Sequence, residues 1–278
     1  MVNHLAALGH PVDLAGPGRA FLIVAVGLLG LVIGSFLNVV IVRVPAGRSV
    51  VSPRSACMTC EQPIAERDNI PVLSWLLLRG RSRCCDEPIS ARYPLVEGAT
   101  GAAFAGVAAW TGLSWRLPAL LYLVAISIAL TMIDLELKRL PNAIVLPSYP
   151  VAAALLTLAA LAEGEPGRLV GAAIGGAALY VFYFLLILIK PGAMGFGDVK
   201  LAGVLGMYLG WFGWQHAVVG AFLGFLLGGV VGIVLMVLGR AGRKTQIPFG
   251  PYMIVGAWLA LAWAAPLTSW YLDSSGIS

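Results

Sequence analysis

Charged side chains are scarce in this sequence. They make up 11% of the 278 residues, whereas an ordinary soluble domain carries about 25%. Hydrophobic residues supply 59% of the chain, and 34 residues are glycine, which is typical of helices that pack closely in lipid. The scarcity of charge excludes an ordinary soluble domain and indicates a membrane protein with several spanning helices.

The chain also has few of the side chains that most hydrolases use. Its three histidines form no ligand cluster in the sequence, and it contains neither a Ser/His/Asp pattern nor a zinc-peptidase helix motif. The net charge of +5 comes from basic residues spread through loops, so we expect no nucleic-acid partner. The lipid bilayer is the predicted partner instead.

Long apolar runs dominate what remains, and each is long enough to cross a bilayer as a helix. The first has no small-residue cleavage pattern before Arg43, so we expect a spanning helix there and no cleaved signal peptide. The second and sixth runs are short or interrupted by glycine. The sequence predicts an all-α polytopic membrane protein with about eight transmembrane helices, over residues 20–42, 94–112, 117–135, 142–162, 169–190, 199–213, 216–239 and 250–271.

The distribution of Lys and Arg predicts the orientation of these helices. With segment 43–93 in the cytoplasm, fifteen of the eighteen basic residues lie on that side. Positive loops stay inside, so we expect both termini outside. Asp134 and Asp198 then lie at the cytoplasmic ends of the third and sixth helices. We divide the chain into residues 1–42, a cytoplasmic zinc-knuckle domain over 43–93, and a seven-helix membrane domain over 94–278.

Segment 43–93 holds all four cysteines and an internal repeat. Residues 60–64 (CEQPI) return as residues 85–89 (CDEPI). Cys57 precedes Cys60 by three, but Ser82 stands at the matching position before Cys85, and Cys84 lies beside it. Three interpretations stay open: a zinc site of Cys57, Cys60 and Cys85 with Cys84 as displaced fourth ligand, a degenerate knuckle without metal, and a disulfide, which a reducing cytoplasm disfavours.

Asp134 and Asp198 are the candidate chemistry. An acid beside an apolar run is costly without a function or partner. Two carboxyl groups within reach of each other share a proton, and such a pair activates water without a metal. The glycines Gly195 and Gly197 leave room for a substrate backbone near Asp198 and Lys200. Asp198 capping its own helix, Asp134 pairing with a nearby base, and a proton relay are the alternatives.

Two further residues have a simple structural interpretation. Glu97, near the start of the second long helix, needs no special role because acids are favoured at helix starts. Trp75, in the loop, either packs within the loop or lies at the membrane interface, where Trp is favoured.

At these residues the chain resembles the type IV prepilin peptidases, bacterial inner-membrane aspartic proteases of the GxGD type. The resemblance covers residues from about Gly34 to Pro251, and Ser82 departs from the paired knuckles of the family. The similar stretches are residues 34–41 (GSFLNVVI) with Arg43 and Pro45, Cys57 and Cys60, 68–71 (DNIP), Ser74 and Trp75, 88–97 (PISARYPLVE), Asp134, 195–201 (GFGDVKL) and 247–251 (IPFGP).

The resemblance implies removal of the short basic leader of type IV prepilins and pseudopilins, after a glycine, with Asp134 and Asp198 as catalytic pair. For members with the long loop it also implies methylation of the new N-terminus by S-adenosylmethionine. Three other interpretations compete: a proton-coupled transporter using the two acids, a presenilin-like protease, which leaves the cysteine loop unexplained, and an assembly factor whose acids only cap helices.

Overall fold

The computed structural model describes residues 16–53, 56–57, 59–60, 62–192, 194–240, 242, 245 and 247–275. The predicted first segment therefore begins outside the described residues, since residues 1–15 are not among them. Arg54, Glu61, Arg243 and Lys244, which entered the orientation or repeat arguments, also lie outside the described residues.

The described residues contain nine α-helices, and eight of them coincide with the eight predicted apolar runs. The ninth, α2, is a short helix in the cysteine segment, which also has one 3₁₀ turn at Glu66–Asp68. The all-α fold, with the cysteine segment between the first two long helices, is confirmed. The helices are α1 (Pro17–Arg43), α2 (Leu73–Leu77), α3 (Arg92–Thr111), α4 (Leu117–Leu137), α5 (Asn142–Ala162), α6 (Arg168–Ile189), α7 (Phe196–Phe212), α8 (Trp214–Val237) and α9 (Gly250–Ser275).

Six helices of the described chain are long and apolar enough to cross a membrane: α1, α4, α5, α6, α8 and the first part of α9. The other two long helices, α3 and α7, are the ones whose runs are short or interrupted by glycine. At 17 residues, α7 is shorter than the roughly 20 residues that a bilayer core requires. The chain is a multi-pass membrane protein.

Among the described residues, those up to Ala129 form one compact unit and those from Leu130 form another, so α4 contributes to both. In the first unit, α1 and α3 pack through glycine. A Cβ atom on Gly30 would lie 2.7 Å from the Cβ of Phe104, and one on Gly34 would lie 2.7 Å from the Cα of Glu97. The absence of side chains on α1 therefore sets how closely these helices approach.

In the second unit, α6 and α7 meet along backbone. A Cβ atom on Gly175 would lie 2.5 Å from the carbonyl oxygen of Gly206 and 2.7 Å from the Cα of Gly210. Real Cβ atoms do not approach other atoms so closely. Glycine at four-residue spacing lets membrane helices pack at this distance, and here it brings α7, which carries Asp198, against α6.

One helix start differs in detail from the sequence prediction. Helix α7 begins at Phe196, three residues before the predicted start at Val199, because the Asp198 carboxylate accepts a hydrogen bond from Gly195 N and closes the first turn. Helix α5 begins at Asn142 as predicted, and Pro141 before it is extended (φ −69°, ψ 131°) and is its N-cap. The earlier start of α7 arises from local capping, which apolar periodicity does not report.

We expect Gly175→Ala to destabilise the protein by about 1–3 kcal/mol, because the added methyl group has no room between α6 and α7. Gly229→Ala is the matched control, since a Cβ atom on Gly229 of α8 meets nothing within 4 Å. Unfolding free energies measured in detergent micelles should separate the two variants. Equal stability of the two would contradict the close packing of α6 on α7.

Candidate active site and cysteine cluster

Asp134 lies in the last turn of α4 and is 4% exposed. Its Oδ2 atom accepts a hydrogen bond of 3.0 Å from the backbone N–H of Gly250, the first residue of α9. A Cβ atom on Gly250 would lie 2.8 Å from the same oxygen. Glycine is therefore required at position 250, because a side chain would push the carboxylate away from its donor.

Asp198 lies in the first turn of α7 and is 8% exposed. Its Oδ2 atom accepts a hydrogen bond of 3.1 Å from the backbone N–H of Gly195. The capping role weighed from the sequence is therefore present. It engages Oδ2 of the carboxyl group, so capping orients Asp198 and is compatible with a chemical role for the group.

The structure brings the two acids together around Leu140. A Cβ atom on Gly197, next to Asp198, would lie 3.0 Å from the Cβ of Leu140. One on Gly250, the donor to Asp134, would lie 3.4 Å from the Cδ2 of Leu140. The charge of Asp134 is also close enough to act electrostatically on Asp198. Two buried carboxyl groups this close oppose ionisation of both.

Lys200 is bound to α5 through both its side chain and its backbone. Its Nζ donates a hydrogen bond of 2.9 Å to Oδ1 of Asn142, and its carbonyl oxygen accepts one of 2.7 Å from the hydroxyl of Tyr149. Nζ also lies 4.8 Å from the ring centroid of Phe196, within cation–π range. These contacts fix the first turn of α7, and with it Asp198, against α5.

Tyr183 on α6 is a neighbour of the site that sequence reasoning missed. It is 2% exposed and interacts electrostatically with Asp198. Its ring stacks on Phe225 at 5.3 Å and lies 6.3 Å from that of Phe249, the residue before Gly250. In the sequence Tyr183 is one aromatic residue among several in an apolar helix, so no local signal identifies it.

The two halves of the cysteine repeat have the same backbone fold. Cys57 N donates to the carbonyl of Gln62 at 2.9 Å, and Ser82 N donates to that of Glu87 at 2.8 Å. An isolated bridge closes each half, between Ala56 and Pro63 in the first and between Arg81 and Pro88 in the second. The sequence repeat is therefore a structural repeat, with Ser82 at the position of Cys57.

All four cysteine sulfur atoms lie within 4.8 Å of one another. Sγ of Cys60 is 3.0 Å from that of Cys84, and Sγ of Cys57 is 3.5 Å from that of Cys85. A tetrahedral zinc site with Zn–S bonds of about 2.3 Å separates its sulfurs by about 3.8 Å. Four sulfurs at this spacing can hold a metal ion, and Cys84 supplies the one that Ser82 lacks.

Ser82 has a different part in the cluster. Its Oγ atom lies 3.1 Å from Sγ of Cys85 and accepts a hydrogen bond of 3.1 Å from the backbone N–H of Glu87. The serine therefore orients its own half of the repeat and hydrogen-bonds to a candidate ligand.

Different local contacts give the thiols of the cluster unequal pKa values. Hydrogen bonds from the backbone N–H groups of Cys60 and Thr59 lower the pKa of Cys57 to about 6. The pKa of Cys84 is raised to about 12, mainly by the contact of its thiol with Cys60 and secondly by desolvation. A thiolate therefore forms more readily at Cys57 than at Cys84, and a bound cation would favour the deprotonated form of both.

Glu97 and Trp75 have clearer roles than the sequence indicated. The carboxylate of Glu97, which is 9% exposed, accepts a hydrogen bond of 2.7 Å from Val72 N, at the start of α2. The indole N–H of Trp75 donates to the carbonyl of Ile89 at 2.9 Å. Glu97 thus joins the loop to α3, and Trp75 packs within the loop.

Two family models match parts of the chain. Residues 28–111 match the Bacterial Peptidase A24 N-terminal domain, and residues 121–233 match the Type IV leader peptidase family. No solved structure matches the chain at a significant level.

Similar curated proteins carry the name Prepilin leader peptidase/N-methyltransferase. One from Stutzerimonas stutzeri is 38% identical over 290 residues, covering 95% of this chain and 98% of its own. One from Pseudomonas aeruginosa is 35% identical over 294 residues, covering 95% and 97%. One from Myxococcus xanthus is 40% identical over 222 residues, covering 79% and 65%.

The contact between Lys200 and Asn142 can be measured by a double-mutant cycle of Lys200→Met and Asn142→Leu. We expect a coupling free energy of about 0.5–2 kcal/mol, because the hydrogen bond has a charged donor. The measurement is the unfolding free energy in micelles of the parent, both single variants and the double variant. Strictly additive effects would show that the two side chains do not interact.

Proposed function

Because the chain belongs to the type IV leader peptidase family, we propose that it is an aspartic endopeptidase of prepilins and pseudopilins. It removes their short basic leader after a glycine, at the cytoplasmic face of the bacterial inner membrane. The names of its relatives support a peptidase, and none of those reported above names a transporter. The proton-coupled transporter interpretation therefore gains no support.

The observation that carries this proposal is the pair of buried carboxyl groups, Asp134 and Asp198, each held by a glycine N–H. Close carboxyl groups share one proton. The ionised group takes a proton from water, and the water oxygen attacks the carbonyl carbon of the scissile peptide. The protonated group gives its proton to the amide nitrogen as the C–N bond breaks. The proteolytic step needs no metal.

The surroundings of Asp198 divide the roles of the nearby residues. Gly195 is exposed, so an extended substrate backbone can approach Asp198 there. Gly197 makes room for Leu140. Lys200, bound to Asn142, positions the first turn of α7, and Tyr183 closes the apolar side of the site. The site thus presents Asp198 to a peptide, while the first turn of α7 stays packed against its neighbours.

A second activity, methylation of the new N-terminus, is supported by the name of the relatives, which includes N-methyltransferase. S-adenosylmethionine would supply the methyl group. The substrate of this step is the amine that leader removal exposes, so proteolysis precedes methylation.

We further propose that the cysteine cluster holds a structural zinc ion through Cys57, Cys60, Cys84 and Cys85. The mutual spacing of the four sulfurs supports this ligand set. Segment 43–93 then forms a zinc-knuckle domain between the membrane segments 1–42 and 94–278. A segment of about fifty residues with a small core needs a stabilising element such as a structural metal ion.

The proposed orientation keeps both termini outside and segment 43–93 in the cytoplasm. It rests on the excess of basic residues in the loops assigned to the inside. The basic leader of a prepilin would then meet the acids on the side where it is synthesised.

We expect Asp134→Asn and Asp198→Asn each to lower leader cleavage by about a hundredfold or more, because an amide can neither take nor give the catalytic proton. Glu136→Gln is the matched control, since Glu136 lies two residues from Asp134 and is exposed. It should cleave at close to the parent rate. The assay follows the loss of the leader from a purified prepilin by gel mobility or mass spectrometry. Substantial cleavage by either Asn variant would refute the dyad.

The proposed zinc ligands are tested by Cys84→Ser and Ser82→Ala in the full chain. We expect Cys84→Ser to lose most of the bound zinc, since three thiolates hold zinc more weakly than four. Ser82→Ala should keep about one zinc per chain. Metal content is measured by atomic emission after dialysis against a weak chelator. Retained zinc in Cys84→Ser together with loss in Ser82→Ala would reverse the assignment of the fourth ligand.

A further inference from the structure

The short loop helix α2 presents leucine outward and its polar residue inward. Leu73, Leu76 and Leu77 are 47%, 58% and 73% exposed. Ser74 is buried and binds the segment before α2 twice: its Oγ accepts from Ile70 N at 3.0 Å and donates to Arg67 O at 3.2 Å. A helix whose apolar side chains face away from the protein requires another apolar surface to cover them.

The start of α2 is fixed at one position along the long helix α3. The hydrogen bond from Val72 N to Glu97 ties the start of α2 to the second turn of α3. Val72 has a positive φ of 61°, which is unfavourable for a β-branched residue. The connection is therefore specific, because the chain accepts backbone strain in order to make it.

Because Glu97 binds the start of α2, its position beside α1 shows the level along α1 at which α2 begins. A Cβ atom on Gly34 would touch the Cα of Glu97, and Asn38 Nδ2 donates to the carbonyl of Tyr93 at 3.1 Å. Helix α1 continues from Gly34 to Arg43, which adds about 13 Å at 1.5 Å per residue. Six of the nine residues of that extension are apolar, and the stretch before Arg43, residues 39–42 (VVIV), is entirely so. Helix α2 therefore begins at a depth where α1 is still apolar.

We propose that Leu73, Leu76 and Leu77 insert into the boundary between headgroups and acyl chains of the bilayer. This anchors the cysteine-bearing segment on the membrane surface beside α3. A short helix with exposed leucines suits this boundary, and Arg79, which is exposed and lies two residues after the end of α2, suits anionic headgroups. Lipid is favoured over a protein partner because the apolar part of α1 extends past the level of α2.

Site-specific photocrosslinking tests the anchor in the full chain. Benzoylphenylalanine replaces Leu77, and the protein is placed in nanodiscs of phosphatidylethanolamine and phosphatidylglycerol that carry a fluorescent lipid. Leu95 is the positive control, because it is 67% exposed on α3, which the sequence predicts to span the membrane. Val51, in the same loop and 84% exposed, is the negative control. We expect at least about fivefold more lipid adduct at position 77 than at position 51, as insertion into the boundary requires.

The outcome is decided by the two controls. A yield at position 77 closer to that at Leu95 supports the anchor, and a yield closer to that at Val51 overturns it. The crosslinking is repeated with excess prepilin, which distinguishes lipid from prepilin as the occupant of this surface. If the adduct at position 77 moves from lipid to prepilin, α2 is a substrate surface and the proposal fails. No step of the test depends on catalysis, so it can fail independently of the proposed peptidase activity.

Discussion

The structure depends on the cost of placing a carboxyl group at the end of an apolar helix. Burial of an acid without a donor is unfavourable by several kcal/mol. Asp134 and Asp198 each meet this cost with a backbone N–H, from Gly250 and from Gly195. Both donors are glycine residues beside a helix start, where N–H groups lack helical partners. The loops that carry these glycines are therefore part of the site and not only connections between spans.

The same requirement explains why glycine is concentrated where the acids lie. Helix α7 is too short to be fixed by lipid alone, so its position must come from its neighbours. It meets α6 through Gly175 and Gly206, backbone against backbone, and meets α5 through Lys200 and Tyr149. Asp198 thus lies on a helix that is fixed by contacts with both α6 and α5. A carboxyl group that must stay within reach of another benefits from such a rigid support.

Apolar length is a local property, and for that reason the eight long helices could be predicted from the sequence. The contact between Asp134 and Gly250 joins residues 116 apart, and a single sequence holds no signal for that pairing. Tyr183 was missed for the same reason. The start of α7 differed because a side-chain cap, invisible to periodicity, extends the helix to Phe196. Local patterns give the elements, and long-range contacts build the site.

The cysteine cluster shows how a broken repeat can keep its geometry. Ser82 retains the backbone hydrogen bond of its half of the repeat, so the fold of that half does not depend on a thiol at position 82. The lost sulfur is replaced from within the same turn by Cys84, which lies 3.0 Å from Cys60. In the proposed zinc site, a ligand shifted by two residues would be tolerated because a tetrahedral metal site constrains the positions of sulfur atoms and not the backbone that supplies them. The sequence pattern is broken, yet the donor set that a metal would meet is still four sulfurs.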